Sequence, residues 1–234
     1  MKSNAVCRCS GAAIRTSRCD MPVYMFNKPR GYITACRDSQ RATIMDCLPE
    51  SLRGLHPVGR LDVDTEGLLI LTDDGRLDNL LMQPGRKVEK CYFFLAMGRL
   101  DDEGISALES GIELYHTGNT ACQAKVELVG YSRVRDHIAY YPQSKLSKWM
   151  KNPDGCVSAG YLTITEGKKH QVKLMIKSTG CHVFYLKRVR IGGLKLDPEL
   201  PLGGVRELTD SELEAICADY TRIIAPHTPD QANY

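Results

Sequence analysis

The carboxylate of Asp62 stands between Arg60 and the apolar run Leu68-Leu69-Ile70-Leu71. The whole stretch 59–75 reads Gly-Arg-Leu-Asp-Val-Asp-Thr-Glu-Gly-Leu-Leu-Ile-Leu-Thr-Asp-Asp-Gly. An aspartate drawn toward a buried strand loses hydration, which favours its neutral form unless a cation or hydrogen bonds offset the cost. The stretch is therefore either a strand with a solvated acidic lead-in or a placed nucleophile, with Asp64 as a second candidate two residues on. A second segment able to do chemistry is 166–190, where seven Lys or Arg stand against one Glu. Within it Lys169, Lys173 and Lys177 recur every four residues beside an apolar face of Val172, Met175 and Ile176, the spacing of a helix. Like charges at that spacing cost a helix roughly 0.2–0.5 kcal/mol per pair. With no acid interleaved, an anionic partner is favoured over a merely solvated face.

Ten cysteines are scattered at 7, 9, 19, 36, 47, 91, 122, 156, 181 and 217 without a C-x-x-C pair, so zinc-site spacing is absent and free thiols in a reducing compartment are expected. Cys7, Cys9 and Cys19 form the one cluster worth testing. The net charge of +3 alone implies no nucleic-acid partner, but it conceals the basic stripe and an acidic 197–219 segment with seven acids against one Arg. No apolar run reaches membrane-spanning length and no secretory pattern opens the chain, so a soluble, cytoplasmic protein is expected.

These residues must be carried by the surrounding elements. Residues 1–20 hold four basic residues and little apolar periodicity and read as a tail. Short strands are expected over 22–27 and 32–36 around Pro29-Arg30-Gly31, and one or two helical turns over 43–48. Gly67 to Thr72 reads as a buried strand, Asp74-Gly75 as a turn into a helix over 76–82, and His56 to Arg60 as a loop, a poor strand. A strand over 89–98 and a helix over 101–110 with acids in its first turn follow. Strands over 120–129 and 160–165 flank an insertion, 131–159, in which Tyr131, Tyr140, Tyr141 and Trp149 mix with five basic residues. An extra packed hairpin or helix is favoured there over a base-stacking surface. A helix over 168–179, a strand over 182–191 and a last helix over 210–218, with Thr209 and Glu212 as its capping box, complete the core. The pattern is that of an α+β protein.

The stretch 59–75 resembles the signature of the RNA pseudouridine synthases, in particular the ribosomal small-subunit pseudouridine synthase A family with its large-subunit relatives B, E and F. That pattern runs G-R-L-D-x-x-T-x-G-L-L-x-L-T-N-D-G, and Gly59, Arg60, Leu61, Asp62, Thr65, Gly67, Leu68, Leu69, Leu71, Thr72, Asp74 and Gly75 match it. Asp73 replaces the usual Asn, a substitution a turn accepts. Lys28-Pro29-Arg30-Gly31 resembles the family's K-P-x-G, Lys90-Cys91-Tyr92 its K-x-Y, and Glu166-Gly167 through Gln171-Val172-Lys173 its E-G-x-x-x-Q-V-[RK]. The segments 186–192 and 206–209 read like its closing strand and turn.

The resemblance implies the pseudouridine synthase fold, a mixed, mostly antiparallel sheet in two lobes with a central active-site cleft. It implies site-specific conversion of uridine to pseudouridine in ribosomal RNA or a pre-ribosomal particle, with no cofactor or metal, by a monomer. Asp62 is implied as the nucleophile; attack at C1′, attack at C6 and removal of a ribose proton all stay open. Lys173 is implied as its cationic partner, and Tyr92 as the residue stacked on the target base. Arg60 would fill the space a flipped uridine vacates, and Lys28, Arg30, Lys168, Lys169 and Arg188 would hold phosphates. His170 reads as a packing or phosphate contact rather than a general base. Typical relatives carry an S4-type RNA-binding domain before this core, which 1–21 is too short to hold. The expected layout is a basic tail at 1–21, a catalytic domain at 22–225 and a tail at 226–234.

The same residues admit two other readings. Asp62-Val63-Asp64-Thr65 also fits the D-x-D-x-T pattern of magnesium-dependent haloacid dehalogenase-like phosphatases, though without the preceding apolar strand that pattern normally has. A non-catalytic RNA-binding protein that kept the fold is the other.

Overall fold

The computed structural model describes residues 22–141 and 143–216. The expectations for the two tails, for Cys7, Cys9 and Cys19, and for 217–218 lie outside these residues.

One open nine-stranded sheet organises the chain. Its strands are β1 (Tyr24–Lys28), β2 (His56–Val58), β3 (Glu66–Thr72), β4 (Lys90–Met97), β5 (Lys125–Arg133), β6 (Cys156–Ile164), β7 (His182–Ile191), β8 (Leu194–Lys195) and β9 (Val205–Glu207). The order across the sheet is β5-β6-β4-β7-β3-β1-β9, with β2 on β3 and β8 on β7. Every pairing is antiparallel except the short β3–β7 contact, where Glu66 and Gly67 lie opposite Lys187 and Arg188. That contact joins two halves, one built on β4, β5, β6 and β7 and the other on β1, β2, β3 and β9. The helices α1 (Gly75–Met82), α2 (Asp102–Ser110), α3 (Gln143–Trp149) and α4 (Gln171–Ser178) pack against them, and residues 210–216 are also helical.

The sequence of β3 shows why it sits at the centre. Leu68, Leu69, Ile70 and Leu71 are all fully buried, a continuous rather than alternating apolar run, because both faces of the strand are covered. Leu68 and Ile70 pack with Val23, Met25 and the α1 residues Leu77 and Leu81. Leu69 and Leu71 face the other way, onto Phe26, Ile44 and Met45. Each such side chain contributes roughly 1.5–3 kcal/mol by leaving water, so the strand leading out of the Asp62 loop is among the best-anchored parts of the fold.

Gly67 marks the point where the halves meet. Its φ is +103°, and a Cβ there would lie 2.3 Å from the Arg188 carbonyl oxygen, so the close β3–β7 approach admits only glycine.

Several sequence-based expectations shift. His56–Val58 is a strand: it pairs with Thr72, Leu71 and Ile70 as a three-residue edge element, where Pro57 is tolerated for want of a second neighbour. Tyr32 to Cys36 is not a strand; it makes one bridge, Ile33 to Thr43, and otherwise bends, because the Thr34 hydroxyl is drawn to the backbone of Leu61. β5 runs later than expected, over 125–133, alternating between half-buried and exposed as an edge strand does, and β6 starts earlier, at Cys156. The insertion is packed structure: it includes the end of β5, a 3-10 stretch Val134–Tyr140 and α3, and Tyr141 stacks on Phe184 of β7 at 4.4 Å between centroids. Thr209 and Glu212 do form the capping box, ahead of the helical residues 210–216.

Candidate active site

The loop between β2 and β3, residues 59–65, carries Asp62 and is held from three sides. From β1, the fully buried Lys28 ammonium donates to the carbonyls of Asp62 (3.1 Å), Thr65 (3.0 Å) and Pro29 (3.0 Å). The Gly31 N–H donates to the Val63 carbonyl at 2.8 Å. Thr34 Oγ1 both donates to the Leu61 carbonyl and accepts from the Leu61 N–H. Inside the loop, Thr65 N–H closes a turn on the Asp62 carbonyl at 3.1 Å. The Lys28-Pro29-Arg30-Gly31 segment therefore acts as a backbone clamp on the aspartate loop. Burial pushes the Lys28 amine down to about 8, against the pull of nearby carboxylates.

The opposite wall is the start of α4. Gln171, buried, accepts from the Lys168 N–H at 2.8 Å and donates to Glu166 through its amide, which ties the preceding turn to the helix. His170 precedes the helix in a left-handed conformation, φ 56°, so the helix cannot start at Lys168. Lys169 consequently lies outside the helix, and the expected stripe reduces to Lys173 and Lys177. From α4, Lys173 Nζ reaches Asp62 Oδ2 at 2.9 Å and also bonds Asp64 Oδ1. His170 Nε2 lies 3.8 Å from Asp62 Oδ1. Partial desolvation works against ionisation of Asp64, but the hydrogen bond and charge of Lys173 prevail and hold its carboxyl below the usual range.

Between the two walls lies a pocket of about 70 Å³ lined by Arg60, Asp62, Tyr92, Lys168, His170 and Lys173, with apolar sides from Leu61, Val172 and Leu186. Tyr92, on β4, is largely buried, while Arg60 is exposed at the mouth. Six of the residues the sequence singled out thus converge here from four segments.

Others do not. Lys28 is wholly enclosed and consumed by carbonyls, so it cannot hold a phosphate. Arg188 is also buried, its Nε donating to the Leu68 carbonyl at 2.8 Å, and it braces the β3–β7 joint instead of facing a ligand. Arg30 lies at 3.0 Å from Glu66 and over the Tyr185 ring, and lines a neighbouring cavity instead of the small pocket. Lys168, although it lines the pocket, is engaged elsewhere, at 3.2 Å from Glu166 and donating to the Thr120 carbonyl. Lys169 is exposed. Asp64, the second candidate carboxylate in the sequence, shares the Lys173 ammonium. Nothing in the local pattern around Asp64 signals this, because the partner lies 109 residues away. The Glu166–Gln171 spacing was the available signal for the clamp at the start of α4. Among the described residues no group of His, Cys, Asp or Glu is placed to hold a metal ion.

A carboxylate paired with an ammonium and set beside a phenol can act as a nucleophile or stabilise charge next to a sugar, without a redox step. Known proteins resemble the chain over most of its length. Residues 22–178 match the family model described as RNA pseudouridylate synthase. Over 194 residues the chain is 40% identical to an uncharacterized RNA pseudouridine synthase, YtzG, of Bacillus subtilis (strain 168), covering 82% of this chain and 72% of that one. It is 32% identical to the ribosomal small subunit pseudouridine synthase A of Escherichia coli (strain K12), covering 82% and 73%. A crystal structure of a pseudouridylate synthase superposes with a TM-score of 0.68 at 33% identity, covering 84% of this chain and 74% of that one.

Proposed function

The chain belongs to the RNA pseudouridylate synthase family, and from that premise we propose that it isomerises a specific uridine of ribosomal RNA, with Asp62 as the catalytic nucleophile. The observation that carries the role of Asp62 is its ion pair with Lys173, on a loop fixed by Lys28, Gly31 and Thr34, in the same pocket as Tyr92. The reaction breaks the bond from N1 to C1′, forms one from C5 to C1′, releases the C5 proton and returns a proton to N1. Atoms balance without a cofactor or second substrate. Lys173 holds the Asp62 carboxylate in place, and Tyr92 supplies a face or hydroxyl beside the base.

At about 70 Å³ the pocket is well below the roughly 300–1,000 Å³ of typical ligand clefts. The flipped nucleoside therefore enters by displacing the exposed Arg60 and His170 at its mouth, and Arg60 is then free to occupy the gap left in the RNA. Arg60 and Lys169, exposed near the pocket, supply phosphate contacts. The protein acts as a monomer on ribosomal RNA or a pre-ribosomal particle in the cytoplasm, and residues 22–225 form its catalytic domain. Among the described residues no helix is long and apolar enough to cross a membrane.

The phosphatase reading loses its basis. Asp62 and Asp64 share an ammonium where a magnesium-dependent enzyme needs them on the cation, and the family match covers both. The same match, together with the paired Asp62 in a formed pocket, leaves the non-catalytic reading unsupported.

The test is to incubate unmodified small- and large-subunit ribosomal RNA transcripts with the protein and to map pseudouridine by carbodiimide treatment and primer extension. One modified uridine is expected. Absence of modification in every transcript and in pre-ribosomal particles would refute the proposal.

A further inference from the structure

A second, larger cavity adjoins the small pocket and is not used by the isomerisation chemistry. It measures about 860 Å³ and shares His170 and Lys173 with the Asp62 pocket, so the two lie side by side. We infer that this groove holds unpaired nucleotides flanking the target uridine, with their bases against aromatic rings. The inference rests on the reading of the chain as an RNA pseudouridine synthase.

The walls match that ligand in three respects. First, they are aromatic: the exposed Tyr140 and half-buried Trp149 and Phe184 line the groove over the buried rings of Tyr141 and Tyr185. Tyr140 packs edge-on to Tyr185 at 4.6 Å and Trp149 edge-on to Phe184 at 5.5 Å. Base–aromatic stacking is sequence-tolerant and contributes roughly 1–3 kcal/mol per base. Second, the rim exposes apolar surface: Val63, Tyr140 and Leu202 are three of the seven large apolar side chains left exposed among the described residues. Third, the lining carries four cations, Arg30, Lys173, Lys177 and Lys187, against the two carboxylates Asp64 and Glu66. Glu66 is matched by Arg30, and Lys173 is shared by Asp64 and Asp62, so an incoming phosphate meets Lys187 and Lys177, the latter seated over the Tyr115 ring.

The ligand must be single-stranded, since rings can stack only on bases already out of a duplex. Flipping a uridine removes stacking from its neighbours, and this groove, open beside the flipped base, restores it. Arg30 links the two sites mechanically. Its Nη1 donates to the Tyr140 carbonyl at 2.7 Å, and it sits within the Lys28–Gly31 segment that clamps the Asp62 loop.

Trp149 is the only tryptophan of the chain and lines the groove, so its fluorescence reports occupancy apart from catalysis. The experiment titrates the protein with single-stranded hexauridylate, a 12-base-pair RNA duplex and hexaglutamate. The same titrations are run on Tyr140→Ala and on Lys187→Ala, a change at a half-buried position of β7. Hexauridylate is expected to shift Trp149 emission, with affinity about tenfold weaker in each variant and unchanged in Asp62→Asn. On ribosomal RNA, the same two variants should raise KM about tenfold and leave kcat within twofold. An unmoved emission, wild-type affinity in both variants, or equal response to duplex or hexaglutamate would overturn the inference. Failure of the isomerase reading would show differently, as hexauridylate binding at the groove with no pseudouridine formed in any RNA.

Discussion

The Lys173 ammonium joins Asp62 at 2.9 Å across 111 positions of sequence, and the same nitrogen also bonds Asp64. One cation thus serves an aspartate inside the pocket and one at its edge. The side chain of Asp62 is 27% exposed and that of Asp64 67%, so solvent screens the second pair far more than the first. An exposed ion pair contributes at most about 1 kcal/mol. Asp64→Asn should therefore change kcat by no more than about fivefold. Lys173→Met, which removes a preorganised charge from the reacting centre, should lower kcat about 10²–10³-fold. Steady-state tritium release from C5-labelled uridine separates the two; a larger loss in Asp64→Asn than in Lys173→Met would reverse their assignment.

Lys28 gives a pH signature. Its amine is held at about 8 in the folded protein and returns to 10.5 when the chain unfolds. Between those values the unfolded chain binds more protons, so this group's contribution to stability rises with pH across the window and is lost as pH falls through 8. Lys28→Met removes the effect. The stability of wild type relative to Lys28→Met, from urea midpoints, should climb between pH 8 and 10.5 with a slope approaching but not exceeding about 1.4 kcal/mol per unit. Lys90, also lowered to about 8 by burial and by the neighbouring Arg188, is present in both proteins and cancels. A flat difference would mean that Lys28 folds without losing its hydration.

Two glycines with similar dihedrals should behave differently. Gly31 (φ +91°) has open space where a Cβ would go, whereas at Gly67 (φ +103°) that atom would meet the backbone of Arg188. Gly31→Ala introduces backbone strain alone, roughly 1–3 kcal/mol. Gly67→Ala adds a backbone collision and should exceed about 4 kcal/mol, enough to lower soluble yield. Chemical denaturation of both variants tests the ordering, and equal costs would mean that the β3–β7 joint yields.

Charge removal should divide by burial. Arg60→Ala and Lys169→Ala, both exposed, should each reduce the slope of log KM against log salt by roughly 0.7–0.9 and leave the urea midpoint within about 0.5 kcal/mol. Arg188→Ala should do the opposite, destabilising the fold by a few kcal/mol with the salt slope unchanged, because its side chain braces Leu68 in the interior.

That division also marks how far the sequence could be read. The apolar runs of β3, β4 and β7 declared themselves, since continuous hydrophobicity over strand length needs no knowledge of partners. The convergence of Asp62, Tyr92 and Lys173 followed from three motifs met in order along the chain. Lys28 and Arg188 were misplaced as phosphate contacts because a cation's burial depends on carbonyls brought to it from distant strands: Lys28 finds two of its three acceptors 34 and 37 residues away. β2 was missed because three residues with a proline carry no periodicity, and only the edge of β3 makes them a strand. The groove was legible as a mixture of aromatic and basic residues, but packing and binding use the same residues, and only the exposed Tyr140 rim separates the two.

The most direct test of the account is tritium release from ribosomal RNA labelled at uridine C5, measured for the wild type with and without EDTA and for Asp62→Asn. The account predicts stoichiometric release from one site per RNA, unchanged by EDTA, and a loss on the order of 10⁴-fold or more in the variant. Release that survives Asp62→Asn, or that EDTA abolishes, would contradict it.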